Sequence, residues 1–330
     1  MIPDTKINTS GRKTGLVSVV VPYYNEDPML LMFWNVLRDV LSVNRCSAEI
    51  IWVNDGSTDE SRAVVEKIVE SSADGPFRFK CIDFSRNYGH EAAMIAGIDY
   101  AEGEAIICLD SDLQHPPECI PKMLDQYGNG YDIVNMVRTG REDHSFYQGW
   151  MSSFFYKTIN LLSDYKIEKN ASDFFLISAD VASVLRTNFR ERNRFLRGFI
   201  QIVGYDKTTL DFVAKARPHG KSKYSTRKLF HLAMSAISSF SRKPLYLALI
   251  ISFIFMLISI AIAVYSVYQY LFGDKAPSGY TTIIVFMSIC FTILYFLIGI
   301  ISVYIGFNFE ESKDRPIYII KNVKKSSTAT

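Results

Sequence analysis

Apolar and polar positions are arranged in two distinct ways along this chain. In the longer, N-terminal part, short apolar blocks are separated by amphipathic stretches. Leu16 to Val21 is largely apolar and β-branched, which predicts a buried strand. Asp27 followed by Pro28 fits an N-cap and N1 pair and predicts a helix through about Leu41. Glu49 to Val53 is a second strand, and Ser57 with Glu60 has capping-box spacing before a helix to about Ser71. Phe79 to Phe84 predicts a third strand, and His90 to Tyr100 a helix in which Gly97 is a weak point. Ala105 to Leu109 predicts a fourth strand ending at Asp110. Pro116 begins another helix, and Asp132 to Val137 is a further strand. Such alternation predicts an α/β fold, a mostly parallel sheet with helices on both faces. Ligands of such sheets bind at the carboxyl ends of the strands. No internal repeat is present, residues 1–15 read as a polar, flexible stretch without a signal-peptide core, and the tail after Lys321 reads as frayed.

The second arrangement is continuous. Leu245 to Phe272 is 28 residues without a charge, and Tyr280 to Phe309 is 30. At about 1.5 Å per residue each reaches roughly 40 Å, enough for a hydrocarbon layer of roughly 30 Å. Gly273 to Gly279 is turn-like, so the two stretches predict a transmembrane hairpin; the alternative is a pair of buried core helices. Lys221, Lys223, Arg227, Lys228, Arg242 and Lys243 precede the hairpin, and Lys313, Arg315, Lys321, Lys324 and Lys325 follow it, whereas the turn carries only Lys275. The positive-inside rule then places both termini in the cytoplasm and the turn outside, in a multi-pass protein of the inner membrane. Two further stretches, near residues 150–162 and 226–243, mix aromatic and aliphatic residues with a few cations. They read as interface helices on the bilayer or as core packing. The expected organisation is a cytoplasmic domain over 16–225, an interface helix over 226–243, the hairpin over 244–309 and a cytoplasmic tail over 310–330.

Composition narrows the function. The 330 residues are 48% hydrophobic and 21% charged, with 36 Lys plus Arg against 34 Asp plus Glu. That balance excludes disorder and gives no basic face for a nucleic acid. Cys46, Cys81, Cys108, Cys119 and Cys290 are odd in number and form no CxxC pair, so they read as free thiols.

Three predicted strand ends carry candidate chemistry. Pro22-Tyr23-Tyr24-Asn25-Glu26 follows the first strand and Asn54-Asp55-Gly56-Ser57 the second. A carboxylate and an amide at adjacent strand ends can bind the ring N–H of a uracil and ribose hydroxyls; the same residue types also simply make turns. Asp110-Ser111-Asp112-Leu113-Gln114 follows the fourth strand. Its two carboxylates can hold one hard divalent cation, Mg²⁺ or Mn²⁺, with diphosphate oxygens completing the shell and Gln114 adding a carbonyl or holding a water. A solvated acidic turn is the alternative. An EF-hand is excluded by Gln114 at the fifth loop position. His90-Glu91 starts like a zinc HExxH site but has Met94 where the second His belongs. No GxGxxG or Walker loop occurs, and His115, His144, His219 and His231 are scattered.

In order along the chain, Val21-Pro22-Tyr23-Tyr24-Asn25-Glu26, Val53-Asn54-Asp55-Gly56-Ser57, Phe84-Ser85-Arg86-Asn87-Tyr88-Gly89 and Asp110-Ser111-Asp112-Leu113-Gln114-His115-Pro116-Pro117-Glu118 resemble the family-2 glycosyltransferases with a GT-A fold. Within these the chain is similar to polyisoprenyl-phosphate glycosyltransferases, the bacterial bactoprenol glucosyltransferases and dolichol-phosphate mannose synthase among them. Ser172-Asp173-Phe174, Glu191-Arg192-Asn193-Arg194-Phe195, Gly220-Lys221-Ser222-Lys223-Tyr224 and Lys313-Asp314-Arg315-Pro316 extend the resemblance over about Leu16 to Ile320.

The resemblance implies transfer of a hexose, glucose first, from a UDP-sugar to undecaprenyl or another polyprenyl phosphate for glycan or O-antigen modification. N-acetylglucosamine, galactose and mannose remain open as donors. It implies nucleotide-sugar binding by Pro22, Tyr24, Asn25, Glu26, Asn54, Asp55, Arg86, Asn87 and Asp110. A metal and diphosphate site is implied at Asp110, Asp112 and Gln114, and an acceptor-side aspartate at Asp173. Arg192, Arg194, Arg217, Lys221, Ser222 and Lys223 are implied to lie beside the lipid phosphate. A lipid bilayer as partner and a homo-oligomer, a tetramer, are also implied. The chain departs from the family at Phe175, where an Arg is common, and at His90, where a Lys is common. It departs again over Ser302 to Phe307 in the second apolar stretch. A processive polysaccharide synthase is set aside because Gln-x-x-Arg-Trp and further spans are missing. A non-catalytic membrane partner would not require both Asp110 and Asp112, and two spans per chain make a poor pathway for a flippase unless many chains assemble.

Overall fold

The structure is a computed structural model that describes residues 12, 15–139, 171–192, 194–213, 243–272 and 279–326. The expected interface helices, near 150–162 and 226–243, lie outside the described residues except for Lys243. The chain forms two compact units. One contains residues 1–156, 167–225 and 316–330, the other 157–166 and 226–315.

In the first unit, β1 (Val17–Tyr23), α1 (Asp27–Val43), β2 (Ala48–Asn54), α2 (Ser61–Ser71), β3 (Arg78–Phe84), α3 (His90–Tyr100) and β4 (Ala105–Cys108) follow the predicted alternation. A 3₁₀ turn at Pro117–Cys119 leads into α4 (Ile120–Gly128), then β5 (Ile133–Arg138), β6 (Ala171–Ser178), α5 (Ala179–Asn188), α6 (Leu196–Ile202) and β7 (Lys207–Phe212). The second unit contributes α7 (Lys243–Phe272) and α8 (Tyr280–Ser312). Afterwards β8 (Ile320–Lys325) belongs again to the first unit.

The eight strands form one sheet in the order β7-β5-β6-β4-β1-β2-β3-β8. β1 is wholly buried, and its two faces serve two layers. Val17, Val19 and Val21 join Leu30, Phe33, Leu37, Ile50, Trp52 and Ile107 in one apolar core on the α1 side. Val20, of opposite parity, faces α3 at Gly97, where a Cβ would come within 2.1 Å of Val20 Cγ1. Gly97 is thus the close-approach point of α3 on β1, not simply a weak spot in the helix.

Four expectations are corrected. The sheet is mixed, not mostly parallel: β6 pairs antiparallel with β4 and β5, and β8 antiparallel with β3. β5 and β6 are consecutive strands and neighbours, a connection that antiparallel pairing allows without a crossover helix. Residues 322–325 are not frayed; they belong to strand β8, with Ile82 opposite Val323. Ser57 does not open α2. That helix starts at Ser61 with Glu60 as N-cap and no side-chain cap, while Ser57 Oγ accepts the Asn25 N–H at 3.1 Å. α1 is capped by Glu26, not Asp27, one residue earlier than predicted.

All five cysteines are free, with Cys108 buried. In the second unit, both predicted apolar helices form within a few residues of their expected bounds. Thr282–Ser312 contains an 18-residue window with a mean hydropathy of 2.7 and is long and apolar enough to cross a membrane. The corresponding apolar stretch described in α7 is shorter, Ala248–Ile262. Large apolar side chains such as Leu249, Phe253, Ile284, Tyr295 and Phe296 are exposed along these helices, which in water would be costly.

Candidate active site

The carboxyl ends of β1, β2 and β3 are tied together by their own loop residues. After β1, Asn25 adopts φ 53°, a left-handed conformation that Asn tolerates. Its Oδ1 accepts the Thr58 N–H at 2.9 Å, and the Glu26 N–H donates to Ser61 Oγ at 2.9 Å. Asn54, at the end of β2, donates from Nδ2 to Asp83 at 3.0 Å and accepts the Ser57 N–H at 2.8 Å. The next residue, Asp55, accepts N–H bonds from Tyr88 at 2.7 Å and Gly89 at 3.0 Å. Burial raises the Asp55 pKa, and these two N–H groups, with His90 and Arg194 behind them, partly offset it. Gly56 has φ 70°, and a Cβ there would lie 2.5 Å from the Arg86 carbonyl carbon. The loops after β2 and β3 therefore touch backbone to backbone. Pro22 is buried within β1, Tyr24 is exposed, and Arg86 and Asn87 are exposed on the loop after β3. The Arg86 guanidinium lies 4.1 Å from the Tyr88 ring centroid. The structure thus brings Pro22, Tyr24, Asn25, Glu26, Asn54, Asp55, Arg86 and Asn87 to one end of the parallel strands, and it shows Asp55 bracing the loop after β3.

A second cluster forms where β4 meets β6. The antiparallel register pairs Cys108 with Phe175 and Ile107 with Leu176. Two residues further along that register, Asp110 comes opposite Asp173. His90, the first residue of α3, bridges them: its Nε2 lies 3.1 Å from Asp110 Oδ1 and 3.7 Å from Asp173 Oδ2. Arg197, on α6, grips Asp173 with Nε and Nη2 in a two-pronged ion pair. His115 stacks on Phe174 and accepts the Asp110 N–H on Nδ1 at 3.1 Å. An accepting Nδ1 carries no proton, and burial pushes the His115 pKa down, so this ring is neutral.

Charge in the cluster is mutually supporting. Burial alone would lower the His90 pKa, but Asp110 and then Asp173 outweigh it and carry it up to about 9. Burial would raise Asp110, but the protonated His90 and Arg197 hold it well below the usual carboxylate range. Burial likewise opposes ionisation of Asp173, and Arg197 reverses this, leaving its pKa lowered. Glu91, next to His90, has the opposite balance. Burial and the nearby Asp173 push it up to about 7.

The fit to a cation follows from the same atoms. Asp110 Oδ1 is buried and has no aligned hydrogen bond among the described residues. Asp112 turns one oxygen to the Gln114 N–H at 3.0 Å. Among the described residues no three His, Cys, Asp or Glu gather into a metal cage. The pair therefore suits a hard ion whose remaining ligands are water or diphosphate, not a self-contained structural site. Gln114 is buried beside Asp112, with its backbone N–H rather than a described side-chain contact facing the carboxylate.

Of the residues expected beside a lipid phosphate, Arg217, Lys221, Ser222 and Lys223 lie outside the described residues. Arg192 is half-buried between α5 and α6. Arg194 donates to the carbonyls of Ile317 at 3.0 Å and Tyr88 at 3.3 Å. Sequence reasoning missed His90, Glu91, His115 and Arg197. His90 and Glu91 carried one available signal, their place directly after the loop that follows the third strand. Arg197 carried none, because only the fold brings α6 to β6.

The model of the family described as Glycosyl transferase family 2 matches residues 18–186. The uncharacterized glycosyltransferase YkcC of Bacillus subtilis (strain 168) is 36% identical over 311 residues, covering 92% of this chain and 93% of that protein. The prophage bactoprenol glucosyl transferase homolog of Escherichia coli (strain K12) is 33% identical over 309 residues, covering 94% and 99%. Among solved structures, the mannosyltransferase PcManGT from Pyrobaculum calidifontis, in complex with GDP-Man and Mn²⁺, matches with TM-score 0.45 and 12% identity, covering 94% of this chain and 90% of that one.

Proposed function

The chain belongs to glycosyl transferase family 2 and is a glycosyltransferase with a GT-A-like α/β fold; on that premise we propose that it moves a hexose, glucose first, from a UDP-sugar to a polyprenyl phosphate at the cytoplasmic face of the membrane. The observation that carries this reading is the meeting of Asp110 and Asp173 at the β4–β6 junction, bridged by His90 and next to the β1–β3 loop ends.

The donor nucleotide lies against Pro22, Tyr24, Asn25, Glu26, Asn54, Asp55, Arg86 and Asn87. Asp110 and Asp112, with Gln114, are the residues that would hold Mg²⁺ or Mn²⁺. When bound, that ion would neutralise charge gathering on the departing diphosphate. A lipid phosphate is already an anion at neutral pH, so its oxygen needs little help from a base. That oxygen attacks the anomeric carbon opposite the diphosphate. The bond from carbon to the UDP oxygen breaks with its electron pair, and the centre inverts. Asp173, kept ionised by Arg197, is a poor proton acceptor and a good hydrogen-bond acceptor. Its role is to orient a sugar hydroxyl. Arg192, Arg194, Arg217, Lys221, Ser222 and Lys223 face the lipid phosphate, and reversing the charge of both Lys221 and Lys223 raises the KM for that lipid. Both apolar helices span the bilayer as a hairpin with the turn outside, and the chain assembles as a homotetramer. The bactoprenol glucosyl transferase named among the relatives supports the acceptor class.

The deciding experiment incubates purified full-length protein with Mg²⁺ or Mn²⁺, polyprenyl phosphate and separate labelled nucleotide sugars. Label from UDP-glucose moving into the organic phase is the expected result. Label from another UDP-sugar corrects the donor, and no transfer from any donor overturns the reading.

A further inference from the structure

Directly after α8, separated from it by Lys313 and a short non-helical stretch, the chain crosses the loop that follows β3. Three contacts hold it there. The Tyr318 ring stacks on Phe84, with centroids 5.2 Å apart and planes 8° from parallel, and Phe84 in turn meets the Tyr88 ring edge-on at 5.7 Å. The Ile319 carbonyl accepts the Ser85 N–H at 2.9 Å. Arg194 clamps the two segments together, donating to the carbonyls of Ile317 and Tyr88. The Tyr318 hydroxyl also donates to Asp99 on α3 at 2.6 Å, so the segment reaches the helix into which the loop runs. The loop is thus gripped at its start, within it and beyond its end.

The loop matters because of what it does for Asp55. The N–H groups of Tyr88 and Gly89 fix that carboxylate, and Gly56 packs against the backbone of Arg86 and Asn87. A loop with few contacts of its own would leave Asp55 without defined partners. Losing these two N–H donors would leave a largely buried carboxylate without the backbone hydrogen bonds that fix it.

We propose that Ile317–Ile319 is a positioning segment for the donor site: Tyr318, through Phe84 and Tyr88, holds the loop after β3 in the form that orients Asp55, and so sets affinity for a uridine nucleotide. The nucleotide part of this inference rests on the function proposed above; the loop-holding part does not. Tyr318 touches no reacting group and acts through its neighbours.

Full-length protein in detergent, compared as wild type, Tyr318→Phe and Tyr318→Ala, tests it with two readouts. Amide hydrogen exchange follows Tyr88 and Gly89, and calorimetry with Mn²⁺ follows UDP. An aromatic stack of this kind corresponds to up to about tenfold in an equilibrium constant. In Tyr318→Ala, exchange at Tyr88 and Gly89 rises about tenfold while β1 and β2 are unchanged. UDP binding weakens about tenfold, and the KM for the donor rises with kcat held. Tyr318→Phe keeps the stack and stays within about twofold of wild type. Unchanged exchange in Tyr318→Ala overturns the inference, and so does a rise spread evenly over the whole sheet, which marks a merely structural strand. Altered exchange with unaltered UDP affinity overturns the link to the donor. If wild type itself binds no UDP, the donor reading fails, and the exchange data alone still decide whether Tyr318 holds the loop.

Discussion

Arg197 and Asp173 are separated by a strand, a helix and a loop, yet their two-pronged pair fixes the carboxylate that faces Asp110. A planar fork holds both oxygens at once, which an ammonium cannot do. Arg197→Lys therefore keeps the charge and loses the geometry: kcat falls by about tenfold to a hundredfold, in line with small misplacements in active sites, and steady-state assays check this. Glu91 offers a test by pH. Its carboxyl rises from an ordinary value near 4.5 to about 7, pushed first by burial and then by Asp173, with His90, Arg197 and Arg194 opposing. An acid with a raised native pKa stabilises the fold less as pH climbs through that interval. Glu91→Gln removes this cost, so its gain in Tm over wild type is greatest above pH 7 and fades toward pH 4.5, as thermal melts at both ends of the range would reveal. The acidic pair Asp110 and Asp112 was legible as two carboxylates two residues apart after an apolar strand, with a solvated acidic turn as the alternative. His90 was legible as a failed zinc motif and as a departure from the family, but not as a bridge, since its two carboxylate partners are distant in sequence.

At the level of elements, the strands read correctly from sequence are those whose burial is continuous. β1 and β2 are buried at every position, and their apolar runs announce it. β6, β7 and β8 were not predicted; β7 and β8 are edge strands that alternate or carry charge. β8 is Ile-Lys-Asn-Val-Lys-Lys, and its stability comes from pairing with β3 and from ion pairs such as Lys324 with Glu66 at 2.7 Å. No local pattern encodes a partner so far away in the chain. The same limit hid the antiparallel turn of β6, and with it the approach of Asp173 to Asp110. The helix α3 lies at the other extreme. Gly97 lets it sit directly on Val20. Gly97→Ala would normally strengthen a helix, but here the added methyl overpacks the contact, and urea unfolding should show a loss of about 1–3 kcal/mol.

Across the whole molecule, one compact unit carries the sheet and the candidate site, and the other carries two long apolar helices with exposed side chains. A chain with such a surface stays with the membrane fraction through an alkaline carbonate wash and leaves it only in detergent. Release by carbonate would contradict the proposed spans. The two apolar helices were plain in the sequence, because charge vanishes over those stretches.

The closing of β3 by β8 also has a consequence for biosynthesis. The outer edge of β3 is translated early, but its partner leaves the ribosome only after both apolar helices have been made. Until then a nascent chain exposes an unpaired strand edge, open to chaperones and to neighbouring chains. A product truncated before residue 316 keeps that edge permanently, so premature termination yields a sticky fragment and not a freely diffusing transferase.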